Sequence, residues 1–123
     1  MPESVINIED CAFYDCTQLV NMTISNNIIN IGSDAFYNTE YYNTSGNWEN
    51  GVLYLNNKYL IKAETTMEGE YHIKDNTAVV ANSAFSGCSK ISKIFIPNSV
   101  KYINTGAFRG CVNLQDMVID DDS

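Results

Sequence analysis

Apolar and polar positions along this chain recur with a period longer than any helix or strand repeat. The pair Ala-Phe occurs at Ala12-Phe13, Ala35-Phe36, Ala84-Phe85 and Ala107-Phe108, at intervals of 23, 49 and 23 residues, the long interval being one period with 26 residues added. Other positions keep the same register. Val5, Ile28 and Val100 form one column, and Ile8, Ile31, Val80 and Ile103 a second. Cys16, Thr39, Cys88 and Cys111 form a third, and Leu19, Tyr42, Ile91 and Leu114 a fourth. Met22, Tyr71, Ile94 and Met117 align, followed two places on by Ile24, Ile73, Ile96 and Ile119. The pattern reads as a single domain, 1–123, of four units at about 2–24, 25–73, 74–96 and 97–119. The second unit carries an insertion at 43–70, and 120–123 begins a further unit.

A unit this short cannot bury its own apolar side chains, but stacked units can, each column becoming a continuous ladder through the core. The end of each unit, as in Ile94-Phe95-Ile96, alternates in and out with the period of a strand. Strands of successive units then lie side by side and parallel, about 4.8 Å apart. Ser99–Ile103 is a second extended stretch on the opposite wall. Between the two walls, Thr105–Cys111 is short and suits a single helical turn. Four Phe residues, Phe13, Phe36, Phe85 and Phe108, are expected in the core.

With those columns in place, the segments PESVINIEDCAFYDCTQLVNMTI and IPNSVKYINTGAFRGCVNLQDMVI closely resemble the BspA-like leucine-rich repeats of bacterial surface proteins. The resemblance spans nearly the whole chain. It implies a curved solenoid with a strand-lined concave face, an extracellular or cell-surface setting, and a part in adhesion or protein recognition. The fold expected is α/β but β-rich: a right-handed leucine-rich-repeat solenoid with parallel strands, short helical turns and an inserted β-hairpin.

Within the insertion, Val52–Leu55 and Tyr59–Ala63 are strand-like runs joined by Asn56-Asn57-Lys58, and Asn tolerates the positive φ that a tight hairpin turn needs. The hairpin is expected to project from, or extend, one edge of the solenoid. Tyr41, Tyr42, Trp48, Tyr54 and Tyr59 make it aromatic. Exposed, these rings would stack on sugars or anchor a protein; the more ordinary arrangement covers the hairpin's own small core.

Net charge of −8 with only seven scattered basic residues argues against nucleic acid, whose phosphates require clustered Lys and Arg. The apolar runs are far short of the roughly 20 residues that span a bilayer. The opening MPESVINIED has neither the basic stretch nor the apolar region of a secretory signal. Cys88 and Cys111 stack on adjacent units near bridging distance, yet with parallel side chains, so free thiols in the core are favoured over a disulfide. Cys11 and Cys16 have no accompanying His or Cys cluster for zinc. His72, the sole histidine, falls in register with Thr23 and Phe95 and should point outward as a solvated imidazole. No Ser or Cys has an identifiable base and orienting acid, so the chain is read as non-catalytic and without a cofactor. Asp120-Asp121-Asp122 lacks the alternating ligands of a calcium loop and aligns instead with Pro97-Asn98-Ser99, the start of a unit, which implies a longer array. Asn21-Met22-Thr23 and Asn43-Thr44-Ser45 match the glycosylation sequon, which the resemblance to bacterial proteins implies is accidental.

What remains is a binding module. Its candidate surface is the outward strand residues Asn21 and Thr23, Glu70 and His72, Lys93 and Phe95, Asp116 and Val118, presented to a protein partner on the concave face, with Phe95 as anchor. The alternatives are carbohydrate binding through the hairpin, at Trp48 and Tyr54, and a structural spacer. Open ladders at the two ends leave room for pairing with a second copy.

Overall fold

The computed structural model describes residues 1–20 and 23–120. Asn21 and Met22, the first two residues of the first sequon, and the tail at 121–123 lie outside the described residues. Ten strands and two short helical segments wind into a β-solenoid of about five turns. Three sheets line it. One pairs β1 (Asn7–Ile8) with β2 (Asn30–Ile31); both are short and parallel. The second orders β3 (Trp48–Glu49), β4 (Val52–Leu55), β5 (Tyr59–Ala63), β7 (Val79–Val80) and β9 (Tyr102–Ile103) side by side. The third sets β8 (Lys90–Pro97) between β6 (Glu68–His72) and β10 (Asp116–Asp120), all parallel.

The Ala-Phe corner is built from two positions per turn that adopt a left-handed backbone. Cys11, Asp34, Ser83 and Gly106 form the first such column, with φ of 57°, 56°, 62° and 69°. Asp15, Asn38, Gly87 and Gly110 form the second, at 62°, 58°, 79° and 78°. Gly, Asn and Asp accept this conformation at little cost, and two such residues four apart stop the corner from becoming the helical turn its length allows. The reversed residues also aim amides along the solenoid. Cys11, Phe13 and Asp15 donate to the carbonyls of Ser33, Ala35 and Tyr37, and Ser83, Phe85 and Gly87 donate to those of Thr105, Ala107 and Arg109. The corner is thus hydrogen-bonded from turn to turn, and beneath it Phe13 stacks on Phe36 (5.5 Å) and Phe85 on Phe108 (5.1 Å). Gly32 is required for a different reason: a Cβ there would lie 2.3 Å from the Asp10 amide nitrogen.

The hairpin expected at 52–63 forms, with Asn56 and Asn57 at φ of 57° and 50° in its turn. Of the two arrangements expected it takes the second, extending one edge of the solenoid sheet rather than projecting. β5 pairs antiparallel with β4 on one side and parallel with β7 on the other, Tyr59 opposite Val79 and Leu60 opposite Val80. Residues 59–73 therefore supply a turn of the coil, from β5 through the bend at Glu64–Met67 to β6. As a rung inside the coil, β5 sends its one aromatic residue, Tyr59, into the core, where it is wholly buried.

The ladder breaks between β2 and β5, and side chains bridge the gap. Tyr59 Oη donates to the Ser25 carbonyl at 2.7 Å and accepts from the Ile28 amide at 3.3 Å. Asn104 acts as a substitute peptide group: its Nδ2 donates to the Ile29 carbonyl and its Oδ1 accepts from the Ile31 amide, each at 3.0 Å. Lys58 Nζ donates to the Asn26 carbonyl.

Burial corrects part of the expected core. Phe36 and Phe85 are buried, but Phe13 and Phe108, in the first and last turns, are only partly covered because they have a neighbouring turn on one side alone. For the same reason Ile103, Met117 and Ile119 are exposed at column positions that the interior turns bury, and Cys16, read as a core residue, is exposed while Cys88 is buried.

Candidate functional site: the concave sheet

The sheet β6–β8–β10 presents the most regular array of outward side chains. On β8, Ile94 and Ile96 are buried while Lys93 and Phe95 are half-covered, the alternation of a strand with one solvated face. Its register sets Glu70 and Asp116 on either side of Lys93, and His72 and Val118 on either side of Phe95. A shift in pairing between Gly69 and Glu70 lets Ser92 pass unpaired, and it is this bulge that brings Glu70 level with Lys93. Behind these rows Tyr71, Ile94 and Met117 align on the core side.

The two rows differ in chemistry. The first alternates negative, positive, negative across three strands, a favourable cross-strand order. The second is an apolar patch. The His72 and Phe95 rings lie 4.0 Å apart and 5° from parallel, and Lys93 Nζ sits 5.0 Å from the Phe95 centroid, a cation–π distance. Val118 is exposed beside them. This surface can seat an apolar side chain and pair charges around it; it offers no nucleophile with a base.

Six of the sequence-derived residues, Glu70, His72, Lys93, Phe95, Asp116 and Val118, are thus brought together. Thr23 is not: it is exposed, lies in no strand, and belongs to a turn whose strand β1 pairs only with β2. In the second turn the place of the corresponding strand is taken by α1 (Glu40–Asn43) and the 3-10 helix Ser45–Asn47, so among the described residues no strand links Thr23 to β6. Thr39 caps α1, its Oγ1 accepting from the Tyr42 amide at 3.0 Å. Asn21 lies outside the described residues.

The hairpin residues separate as well. Tyr54, a candidate only under the alternative of an exposed aromatic platform, is 4% exposed and lies in the core. Its Oη lies 2.6 Å from Tyr71 Oη and accepts from the Lys74 amide at 3.1 Å. All four residues of β4 are buried, because the strand is covered on both faces. Trp48 stays half-exposed, donating through Nε1 to the Tyr42 carbonyl at 2.8 Å and meeting the Tyr42 ring edge-on at 5.2 Å. The sequence reading passed over a ring row on the same side, in which Tyr14 stacks on Tyr37 and Tyr37 touches Tyr42. Its signal was present, since Tyr14 and Tyr37 each follow the repeat Phe.

The cysteines are free thiols. Burial, with a smaller contribution from Cys111, pushes the Cys88 thiol from about 9.0 up to about 11. Its Sγ donates to the Glu64 carbonyl, and that of Cys111 to the Phe85 carbonyl. Among the described residues no three His, Cys, Asp or Glu side chains are grouped as a metal site requires, and no helix is long and apolar enough to cross a membrane.

No curated protein and no solved structure matches the chain. The family described as BspA type leucine-rich repeat region (6 copies) matches residues 1–67 and 63–123, so the matched segments together span the whole sequence. Repeats of this family are typically non-catalytic, surface-associated protein-interaction modules. The columns, the stacked turns and this match agree: the chain belongs to the BspA-type leucine-rich repeat family.

Proposed function

We propose that the chain is a non-catalytic recognition module of a surface or secreted bacterial protein, binding a protein partner on the sheet β6–β8–β10. The observation that carries this reading is the juxtaposition of the row Glu70–Lys93–Asp116 with the row His72–Phe95–Val118. An apolar centre with a charged rim is how protein interfaces concentrate binding energy. Phe95 is the anchor, held in place by His72 rather than free to rotate. The charge row sets the orientation of the partner, which needs a basic group opposite Glu70 or Asp116 and an acidic one opposite Lys93.

The test compares immobilised wild type with Phe95→Ala and Asp116→Lys for retention of proteins from a mixed extracellular extract. Both variants should lose the proteins that wild type retains, with a melting temperature within a few degrees of wild type. Equal retention by all three, or unfolding of Phe95→Ala, contradicts the assignment.

A further inference from the structure

The turn-forming role of residues 59–73 creates a groove away from the concave sheet. It runs between the end of α1 with β3 and the bend after β5, and is lined by Tyr42, Trp48, Lys62, Glu64, Thr65 and Thr66. Tyr42 and Trp48 form one wall, their rings 85° apart, so that a face and an edge meet at the groove. The Trp48 Nε1 bond to the Tyr42 carbonyl fixes that angle. The opposite wall is polar: Glu64, Thr65 and Thr66 are all exposed. Lys62 contributes its stem, since its Nζ donates to the Ser83 carbonyl at 3.2 Å.

We propose that this groove binds an uncharged oligosaccharide, one pyranose ring packing its C–H face against Trp48 and Tyr42 while its hydroxyls donate to Glu64 and exchange hydrogen bonds with Thr65 and Thr66. Three observations favour a sugar over a peptide. The only aliphatic residue of the lining is the small, buried Ala63, with no Val, Leu, Ile or Phe, so a peptide's large aliphatic anchors have no pocket, whereas sugar C–H groups pack well on aromatic rings. The backbone at Thr65 and Thr66 is a turn, and the edge strand on the other wall, β3, is two residues long, too short for a peptide to extend as a further strand. The exposed Glu64 carboxylate, in a chain of net charge −8, repels sulfated and uronic glycans while accepting well from neutral hydroxyls. Asp34 and Glu64 both act on the Tyr42 hydroxyl, whose pKa is raised first by burial and then by Tyr37 and these carboxylates. The site is independent of the concave sheet, so either assignment stands or falls alone.

Trp48 is the one tryptophan of the chain, and its fluorescence reports on this groove directly. The intact chain is titrated with cellohexaose, xylohexaose, maltohexaose, mannohexaose and chitohexaose, and with a heparin hexasaccharide and a lysine-rich peptide for comparison. At least one neutral sugar should give a saturable change in Trp48 emission, with backbone amide shifts at Thr65 and Thr66. Glu64→Gln or Thr66→Ala, both at exposed positions, should weaken it about tenfold, the effect of one hydrogen bond to a charged or well-placed partner. These variants spare the Trp48 packing, so the result does not depend on a ring deletion that unfolds the turn. The proposal is overturned if no neutral sugar responds, if both variants titrate as wild type, or if the heparin fragment or the peptide binds more tightly than every neutral sugar.

Discussion

The fourth and fifth turns of the coil carry the same or similar residues at their core columns, yet they are physically different objects. Phe85, Cys88, Ile94 and Ile96 have turns stacked on both sides; Phe108, Cys111, Met117 and Ile119 have one on a single side. Ile96 is 2% exposed and Ile119, its equivalent, 57%. In a globular core the sequence pattern decides what is inside. In a solenoid the pattern decides only which residues face the stacking axis, and the neighbouring turn decides whether they are buried.

Deleting the same ring in the two turns should break the symmetry most. Phe85→Ala leaves a cavity with walls on every side and should cost about 3–5 kcal/mol in denaturant unfolding. Phe108→Ala opens onto solvent and should cost about half as much; equal losses would mean that the last turn is covered after all. Ile94→Ala against Met117→Ala extends the comparison to the concave sheet, with roughly 2–4 kcal/mol expected for the first and under about 1 kcal/mol for the second.

Thiol chemistry gives the same contrast without a mutation. With its pKa raised to about 11, Cys88 holds far less thiolate at neutral pH than an ordinary thiol, and it is buried as well. Alkylation of the folded chain should mark Cys11 and Cys16 rapidly and Cys88 only on the timescale of unfolding. Rapid labelling of Cys88 would show that the interior turns open locally.

Alkaline pH probes the interior turns together. The Tyr54 and Tyr71 hydroxyls and the Cys88 thiol are all shifted upward chiefly by burial. A folded-state pKa above the unfolded value means that the native state holds the proton more tightly, so the stabilisation is complete below the unfolded pKa and is lost as pH rises through the folded one. Stability should therefore be level through neutral pH and fall from about pH 9 upward as the unfolded-state thiol and phenols ionise. Tyr54→Phe and Cys88→Ala should each flatten that fall. The smallest effect belongs to the surface: Glu49→Gln removes the 2.7 Å contact with Lys74 and should change stability by less than about 1 kcal/mol, because the Glu49 side chain is 54% exposed and Lys74 keeps its bond to Asn57.

Much of the fold was legible because a column states its own register. Ala-Phe at fixed spacing located the corners, and the alternation around Phe95 placed Glu70, Lys93 and Asp116 in one row and His72, Phe95 and Val118 in another. Asn56-Asn57 marked the hairpin turn. Four features were hidden for physical reasons. The left-handed columns were masked by Cys11 and Ser83, which carry none of the Gly or Asn signal. Burial of Phe13, Phe108 and Cys16 depends on which turns are terminal, and a repeating pattern does not number its ends. The run Val52–Leu55 is apolar at all four positions, so alternation could not assign Tyr54 to a face. The turn made by residues 59–73 lacks the Ala-Phe marker, and Tyr59-Leu60 matched Val79-Val80 only once the pairing was seen.

The central claim is that β5 is a rung of the coil rather than part of a protruding hairpin, since the concave sheet's β6 and the Trp48 groove both follow from it. Native-state amide hydrogen exchange tests it residue by residue. The Ala81 amide donates to the Leu60 carbonyl at 2.9 Å and the Ala63 amide to the Ala84 carbonyl at 2.8 Å, bonds that exist only if β5 lies against the fourth turn. Both amides should exchange as slowly as that of Phe85, which bonds the next rung. If Ala63 and Ala81 instead exchange at the rate of the exposed bend at Thr65 and Thr66 while Phe85 stays protected, β5 is not in the ladder and the account is wrong.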